Sequence, residues 1–193
     1  MGLLPDPEGR AQALGGGAAG SPVAGADRGR RVCRPLPGGA DVNVRRATPH
    51  DEPSVLALLA RCGLPSAGVR DHLQTFWLAE GPEGVIATAG LEVYGEVALL
   101  RSVATDPSYR NRGIARQLCR EALAEAARLG VRQVYLLTET AADYFARQFN
   151  FQEVPRAEAD PRLQASQELA GACPQTARLM VLALSALIDI DLR

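Results

Sequence analysis

Apolar residues follow two different spacings along this chain. In some stretches they occupy every second position, which is typical of a half-buried β-strand, and in others they recur every three or four positions, as on one face of an α-helix. The first spacing, with short apolar runs bounded by turn residues, predicts six strands within residues 42–46, 75–80, 85–94, 97–106, 132–138 and 177–184. The second spacing predicts helices within residues 49–65, 69–73, 113–129 and 141–149.

Two connections between these elements indicate how the strands pair. Residues 85–94 and 97–106 are separated by a turn at Gly95, which predicts an antiparallel hairpin. The helix at 113–129 lies directly between two strands, so it predicts a β-α-β unit whose strands are parallel. We therefore expect an α/β fold with a mixed, mostly antiparallel sheet, a central parallel β-α-β unit and helices on both faces.

The composition changes near residue 40 and sets the expected domain bounds. Gly, Ala, Pro and Arg fill 27 of the first 40 positions, which leaves too little apolar surface to offset the entropy of ordering. Residues 1–40 are therefore predicted to be a disordered tail. The folded domain is expected at residues 41–186, followed by a short extension at 187–193.

Charge and composition exclude several classes of protein. The formal net charge of −1 gives no basis for nucleic-acid binding, and no apolar run reaches the roughly 20 residues of a membrane span. The chain has two histidines, and its four cysteines show no metal-binding spacing, so we expect no metal site. The cysteines are predicted to be reduced thiols in a cytoplasmic protein.

The turn before the helix at 113–129 concentrates positive charge. It reads RNRGIA, residues 110–115, and it follows a strand. A helix N-terminus already carries unpaired N–H groups and the positive end of the dipole, so Arg110 and Arg112 destabilise it unless an anion binds there. Gly113 would let ligand phosphate oxygens approach the backbone closely. These residues alone leave open a phosphate site and a solvent-exposed, arginine-rich turn.

The same turn matches the R/Q-x-x-G-x-G/A signature of the GCN5-related N-acetyltransferases, the GNAT superfamily, and the surrounding order of elements resembles theirs over residues 42–184. The resemblance implies the GNAT fold, with acetyl-CoA as co-substrate and no metal. It also implies that backbone N–H groups of the turn hold the pyrophosphate, at Arg110, Asn111, Arg112, Gly113, Ile114 and Ala115. The preceding strand would pair with the pantetheine amides through Val103, Ala104 and Thr105.

Three blocks beyond this signature resemble a narrower group, the arsenic-resistance N-acetyltransferases. They are residues 90–104, 134–147 and 166–174. Relatives in that group acetylate amino groups of arsenical or phosphinic compounds, including molecules like phosphinothricin. The resemblance therefore implies an acceptor of that kind and a role in detoxification or resistance.

Candidate catalytic and substrate residues lie in the predicted hairpin. Glu92 is a carboxylate within an otherwise apolar strand, which makes it the candidate general base, acting directly or through water. Arg101 interrupts the next apolar strand and could clamp a carboxylate, phosphinate or arsonate of the substrate. Tyr94 shares a strand face with Glu92 and could line the same pocket. The alternatives are a structural ion pair between Glu92 and Arg101, and a packing role for Tyr94.

The candidate general acid is displaced from its usual position. Many GNAT relatives carry Asn-x-x-Ala-x-x-Leu/Phe-Tyr at this point, and alignment on Ala141 places Thr138 at the Asn, where it would contact the cofactor, and Phe145 at the Tyr. Tyr144, one residue earlier, is the alternative acid, about 100° around a helix. Solvent could equally protonate the thiolate of CoA, which leaves when the acetyl group is transferred.

Three other side chains are candidate ligands or substrate contacts. Cys62 and Cys173 could bind trivalent arsenic, although their wide separation favours buried, inert thiols. His72 could border the substrate entrance, and a surface position on the helix is the simpler interpretation.

The predicted function is acetyl-CoA-dependent N-acetylation of a small-molecule amine. No nucleic acid or membrane is expected as a partner, and a homodimer is compatible with the sequence. Amino acids and peptide or protein amines are further acceptors that fit the same residues. The competing class is a non-catalytic acyl-CoA sensor or regulatory module. The displaced tyrosine favours that class, whereas Glu92 and Arg101 favour the enzyme.

Overall fold

A computed structural model describes residues 42–184 of the chain. The predicted tail at 1–40, the extension at 187–193 and Cys33 lie outside the described residues. The strands are β1 (Asn43–Arg46), β2 (Trp77–Gly81), β3 (Gly84–Tyr94), β4 (Val97–Thr105), β5 (Gln133–Thr138), β6 (Gln152–Val154) and β7 (Arg178–Ala183). The α-helices are α1 (Glu52–Arg61), α2 (Val69–His72), α3 (Ile114–Arg128) and α4 (Ala142–Phe149).

The strands form one seven-stranded sheet in the order β1-β2-β3-β4-β5-β7-β6. Neighbouring strands are antiparallel except β4 and β5, which are parallel and are connected through α3. The predicted fold class, hairpin and β-α-β unit are therefore confirmed. The sequence interpretation missed β6, a three-residue edge strand that pairs with β7.

The two faces of the sheet are covered by different elements. Helix α1 packs on one face of the first strands, where Val55, Leu58 and Leu59 meet Phe76 and Leu78. Helices α3 and α4 cover the opposite face, as the predicted apolar stripe of α3 required. Over β4, β5 and β7, the face that carries α1 is closed by the irregular segment 155–177, whose Leu163 is fully buried.

The sheet splits between its two parallel strands. Strand β4 pairs with β5 at only three positions, from Val97 opposite Gln133 to Leu99 opposite Tyr135. The rest of β5 continues to pair with β7, and the rest of β4 continues to pair with β3. Beyond Leu99, β4 therefore has an open edge on the β5 side within the described residues, and that edge ends close to the start of α3.

Within residues 42–184, none of the helices has the length and apolar content needed to cross a membrane.

Candidate active site

The turn that starts α3 is built from left-handed backbone positions. Asn111 has φ of 61° and Gly113, the N-cap residue, has φ of 78°. Just before them, the Asp106 carboxylate accepts a hydrogen bond from the N–H of Ser108 at 3.0 Å and fixes a short 3-10 turn. The backbone N–H groups of residues 111–113 find no acceptor in the described part of the chain. They lie on the exposed end of a 15-residue helix, an arrangement suited to an anion.

Both arginines of this turn are held beside it by the backbone. Arg112 donates to the Ser108 carbonyl at 3.1 Å, and its guanidinium lies 5.0 Å from the centre of the Tyr109 ring. Arg110 donates from Nε to the Thr105 carbonyl at 3.3 Å. Neither side chain forms an ion pair within the described residues, so the positive charge of the turn is not neutralised there.

A cleft of about 260 Å³ lies along residues 103–105 of β4 and reaches this turn. Its walls come from β4, from the turn before α3 and the start of α3, from the N-terminal half of α4 and from the loop after α1. The lining residues are Cys62, Leu64, Val103, Ala104, Thr105, Arg110, Ala115, Ala141, Tyr144 and Phe145.

The predicted cofactor residues occupy three kinds of position. Val103, Ala104, Thr105, Arg110 and Ala115 line the cleft. Asn111, Arg112 and Gly113 form the exposed turn at its end, and Ile114 is buried against β2 and β3.

Thr138 plays a local structural part at the end of β5. Its Oγ1 accepts a hydrogen bond from the Ala141 N–H at 3.0 Å, just before α4 begins. The hydroxyl thereby stabilises the turn into α4, and a cofactor contact for Thr138 stays a prediction.

A β-bulge distorts β4 where the cleft begins. Gly90 pairs with Arg101 and Thr88 pairs with Ala104, so Ser102 and Val103 both lie opposite the single residue Ala89 on β3. Ser102 has φ of 54°, a left-handed conformation that is uncommon for residues other than glycine. Because a bulge bends its strand, it contributes to the divergence of β4 from β5.

Three charged side chains are buried together at the closed end of the split. Glu92, Arg101 and Glu168 are 0%, 2% and 4% exposed. The Arg101 guanidinium pairs with Glu92 through Nη1, while its Nη2 lies 3.0 Å from Glu168 Oε1 and donates to the Ala67 carbonyl at 2.6 Å. Its Nε donates to Ser102 Oγ at 3.2 Å. We call Glu92, Arg101 and Glu168, together with the side chains bonded to them, the Arg101 cluster.

The cluster holds two carboxylates for one guanidinium. Tyr94 donates its hydroxyl to Glu92 Oε2 at 2.7 Å, so both oxygens of Glu92 have partners. Burial, followed by the hydrogen bond to Glu92, raises the pKa of Tyr94 and keeps its phenol protonated. Burial also raises the pKa of Glu168, because its surroundings disfavour a second negative charge. Cys173 donates to Glu168 Oε2 at 3.7 Å, and burial raises its thiol pKa to about 12.

The structure therefore contains the ion pair between Glu92 and Arg101 that the sequence interpretation left open as an alternative. The roles of Glu92 as base and of Arg101 and Tyr94 as substrate contacts stay predictions. Glu168 was not singled out from the sequence, although it lies in the block at 166–174. Nothing in its local pattern marks it, because its segment consists of 3-10 and π turns without a regular apolar period.

The aromatic residues of α4 divide between the core and the cleft. Phe145 is 6% exposed and packs edge-on against Phe151, with ring centres 5.8 Å apart. Tyr144 is only half-buried, lines the cleft and contacts the Phe145 ring edge-on at 5.3 Å. Burial raises the pKa of Tyr144. Helix α4 therefore presents a phenol to the cleft from position 144, one residue before the position of the usual GNAT tyrosine.

The other candidates lie apart from one another. Cys62 lines the cleft and its Sγ lies 3.6 Å from the Thr105 carbonyl, whereas Cys173 is buried in the Arg101 cluster. The His72 ring stands edge-on to Tyr94 at 6.0 Å. Among residues 42–184, no group of three or more His, Cys, Asp or Glu side chains is arranged to hold a metal ion.

The geometry agrees with a known domain family. Residues 72–153 match the sequence profile of the acetyltransferase (GNAT) domain, a stretch that contains the turn, the open edge of β4 and Tyr144. The fold is the GNAT fold. No match was found among curated proteins.

Solved GNAT structures superpose on the chain. The N-acetylglutamate synthase of Neisseria gonorrhoeae, solved with coenzyme A and L-arginine, gives a TM-score of 0.61 at 18% identity, covering 75% of this chain and 34% of that one. A GNAT-family acetyltransferase of Staphylococcus aureus Mu50 gives 0.59 at 17% identity, covering 74% and 99%. The diaminobutyrate acetyltransferase of Paenibacillus lautus, solved with its substrate L-2,4-diaminobutyric acid and coenzyme A, gives 0.55 at 20% identity, covering 75% and 96%.

This chain thus spans about a third of the N-acetylglutamate synthase and nearly the whole of the other two proteins. The domain match and the fold together support the enzyme class predicted from the sequence, an acetyl-CoA-dependent N-acetyltransferase.

Proposed function

We propose that this chain transfers the acetyl group of acetyl-CoA to the amino group of a small molecule that also carries an acidic group. The observation that carries the proposal is the open edge of β4, which runs from the Arg101 cluster to the exposed N-terminus of α3. Five strand residues span roughly 13–17 Å, so an extended pantetheine arm fits along this edge. Its amides would pair with those backbone groups of residues 103–105 that face the open edge, and its pyrophosphate would meet the turn at 110–115.

The reaction needs three events at the closed end of the cleft. A neutral amine nitrogen attacks the thioester carbonyl carbon, forming the C–N bond and an oxyanion. The oxyanion collapses with cleavage of the C–S bond, the nitrogen loses a proton, and the thiolate of CoA gains one. We assign the proton donor role to Tyr144, whose half-buried phenol lines the cleft and whose raised pKa keeps it protonated at neutral pH. Glu92 would receive the amine proton through water, since its oxygens are bonded to Arg101 and Tyr94.

The acceptor we favour is an amino compound with an arsenical or phosphinic acid group. The support is spatial: two of the three sequence blocks that resemble arsenic-resistance acetyltransferases meet in the Arg101 cluster. Residues 90–104 supply Glu92 and Arg101, and residues 166–174 supply Glu168. Residues 134–147 supply Tyr144, which lines the cleft. Two structural neighbours, N-acetylglutamate synthase and diaminobutyrate acetyltransferase, are named for amino acids, which supports the wider class of small amines that carry an acidic group.

A non-catalytic acyl-CoA-binding module is the second candidate. Two observations favour it: Phe145 stands at the position of the usual tyrosine, and Glu92 is fully paired in a buried cluster. In such a module the cleft would bind acetyl-CoA, and no amine would accelerate release of the thiol.

The test measures thiol release from acetyl-CoA in the presence of arsenical amino compounds, phosphinothricin, amino acids and a short peptide, each alone. We expect amine-dependent release with the acidic small molecules and acetylated product by mass spectrometry. Acetyl-CoA binding without amine-dependent release from any acceptor would instead support the module. Release with ordinary amino acids alone would refute the arsenical and phosphinic assignment and leave the enzyme class intact.

A further inference from the structure

The Arg101 guanidinium connects three separate parts of the chain. It extends from β4, pairs with Glu92 on β3, donates a hydrogen bond to the Ala67 carbonyl in the α1–α2 loop, and pairs with Glu168 in the segment 155–177. We name residues 62–68 and 155–177 the acceptor loops, because each contacts Arg101 beside the start of the open edge of β4. We propose that Arg101 is a positioning residue that holds both acceptor loops in place for binding of the acceptor amine. This inference rests on the proposed function.

The contacts leave Arg101 poorly placed to bind a substrate anion directly. Its side chain is completely buried, and every one of its three nitrogens already has a partner. Arginine carries five N–H donors in a fixed fork, so a single guanidinium can hold several acceptors at once in defined directions. Its influence on the acceptor is therefore exerted through the loops.

The α1–α2 loop approaches the cluster at its backbone. Gly68 has φ of 76°, and a Cβ built on it would lie 3.1 Å from Arg101 Nη1 and 3.6 Å from Glu92 Oε1. The loop therefore needs glycine at this point, both for the left-handed conformation and for the close contact. The other end of the same loop carries Cys62 and Leu64, which line the cleft. The contact between Arg101 and Ala67 thus holds the end of the loop that lies outside the cleft lining.

The second acceptor loop is attached by charge. Glu168 belongs to a π-turn that contains Gly171 at φ of 145°, and it attaches this turn to the hairpin through Arg101. Its carboxylate on Arg101 is a buried ion pair, and removal of the guanidinium would leave two buried carboxylates without a cation. The turn that carries Glu168 would then separate from Arg101, while Leu163 keeps the rest of the segment on the sheet, and the acceptor would lose part of its binding surface.

The experiment compares three variants with a matched control. Arg101→Lys keeps the positive charge and loses the forked set of N–H donors. Glu168→Gln removes the negative charge that attaches residues 155–177 to Arg101. Gly68→Ala disturbs the contact between residues 62–68 and Arg101. We expect each to raise the KM for the acceptor about tenfold or more, with the dissociation constant of acetyl-CoA unchanged within twofold. Glu125→Gln is the control, because Glu125 is another buried carboxylate paired with arginines, on α3 and away from both loops.

A second readout keeps the inference testable if no acceptor turns over. Backbone hydrogen exchange in Arg101→Lys should rise in residues 62–68 and 155–177 and stay unchanged in α3. Absence of turnover in the wild-type chain would refute the proposed function, whereas unchanged exchange in both loops would refute the positioning role. An unchanged acceptor KM in folded Arg101→Lys, or weakened acetyl-CoA binding in all three variants, would also overturn it.

Discussion

Gly113 and Gly130 stand at opposite ends of α3 with nearly the same backbone. Their φ angles are 78° and 80°, and a Cβ added at either position meets no protein atom within 4 Å. Alanine at either position is therefore strained by the left-handed conformation alone, at a cost of about 1–2 kcal/mol. For a chain of this size each kcal/mol lowers the melting temperature by roughly 2–4 °C. Gly113→Ala and Gly130→Ala should lose similar stability.

The two variants should differ in cofactor binding. At Gly113 the open space is where a pyrophosphate oxygen would approach the turn, and a methyl group would hold it away from the backbone N–H groups. Hydrogen bonds to a charged group contribute about 1.5–3 kcal/mol each, so loss of one weakens binding roughly 10- to 150-fold. Gly130 lies at the far end of the helix, and its substitution should leave the affinity unchanged.

The assay is calorimetric titration of coenzyme A and, in parallel, of pantetheine, which lacks the pyrophosphate. Gly113→Ala should weaken coenzyme A and leave pantetheine unaffected. If Gly113→Ala binds coenzyme A as tightly as Gly130→Ala does, the turn does not hold the pyrophosphate. An equal loss of affinity for coenzyme A and for pantetheine would indicate that the substitution disturbs the part of the cleft that binds pantetheine.

Three further changes test the site and the fold. Tyr144→Phe should lower kcat about 100-fold in steady-state kinetics without changing the acetyl-CoA dissociation constant, because it removes the proton donor of the cleft. Acetyl-CoA at ten times its dissociation constant should slow iodoacetamide labelling of Cys62 about tenfold, measured by peptide mass spectrometry. Asp51→Asn should lower the free energy of unfolding in urea by about 1–3 kcal/mol at pH 7, since Arg45 and then Thr48 hold the pKa of Asp51 well below its ordinary 3.8.

Each of these three experiments has its own control. Tyr135→Phe removes a phenol that lies outside the cleft and should keep full activity, so an equal loss there would contradict the acid role. Cys119 is buried with its pKa raised to about 12 and should stay unlabelled with or without cofactor. The stabilisation by Asp51 is complete above pH 3.8 and declines as the pH falls toward its lower folded-state pKa. A difference between wild type and Asp51→Asn that is as large at pH 3 as at pH 7 would refute that account.

The fold was predictable because its main elements have clear periods. The hairpin of β3 and β4 is long and apolar, and α3 has an apolar stripe ending at Gly130. Strand β6 was missed because three residues cannot establish a period, and two of them are exposed. Its pairing with β7 is a backbone contact that side-chain pattern does not reveal.

The two halves of the candidate site differ in how far sequence determined them. Local charge marked the turn at 110–115, since arginines at a helix start oppose the helix dipole, and the family signature then favoured a phosphate site over a solvent-exposed turn. The Arg101 cluster depends on tertiary contacts: Glu168 is brought to Arg101 by an irregular segment of the chain. The sequence marked Glu92 and Arg101 as unusual, and it left their pairing as one of two interpretations. Geometry was needed to add Glu168 and the Ala67 carbonyl.

The split between β4 and β5 also has a consequence for association between molecules. It creates two strand edges in the middle of the sheet, each with backbone groups that lack a neighbouring strand among the described residues. Such edges can pair with an extended segment of another chain, which is a common route to aggregation. A bound pantetheine arm along β4 would occupy one of them. The co-substrate would then act as a protective strand, and the protein should be most prone to self-association when acetyl-CoA is scarce.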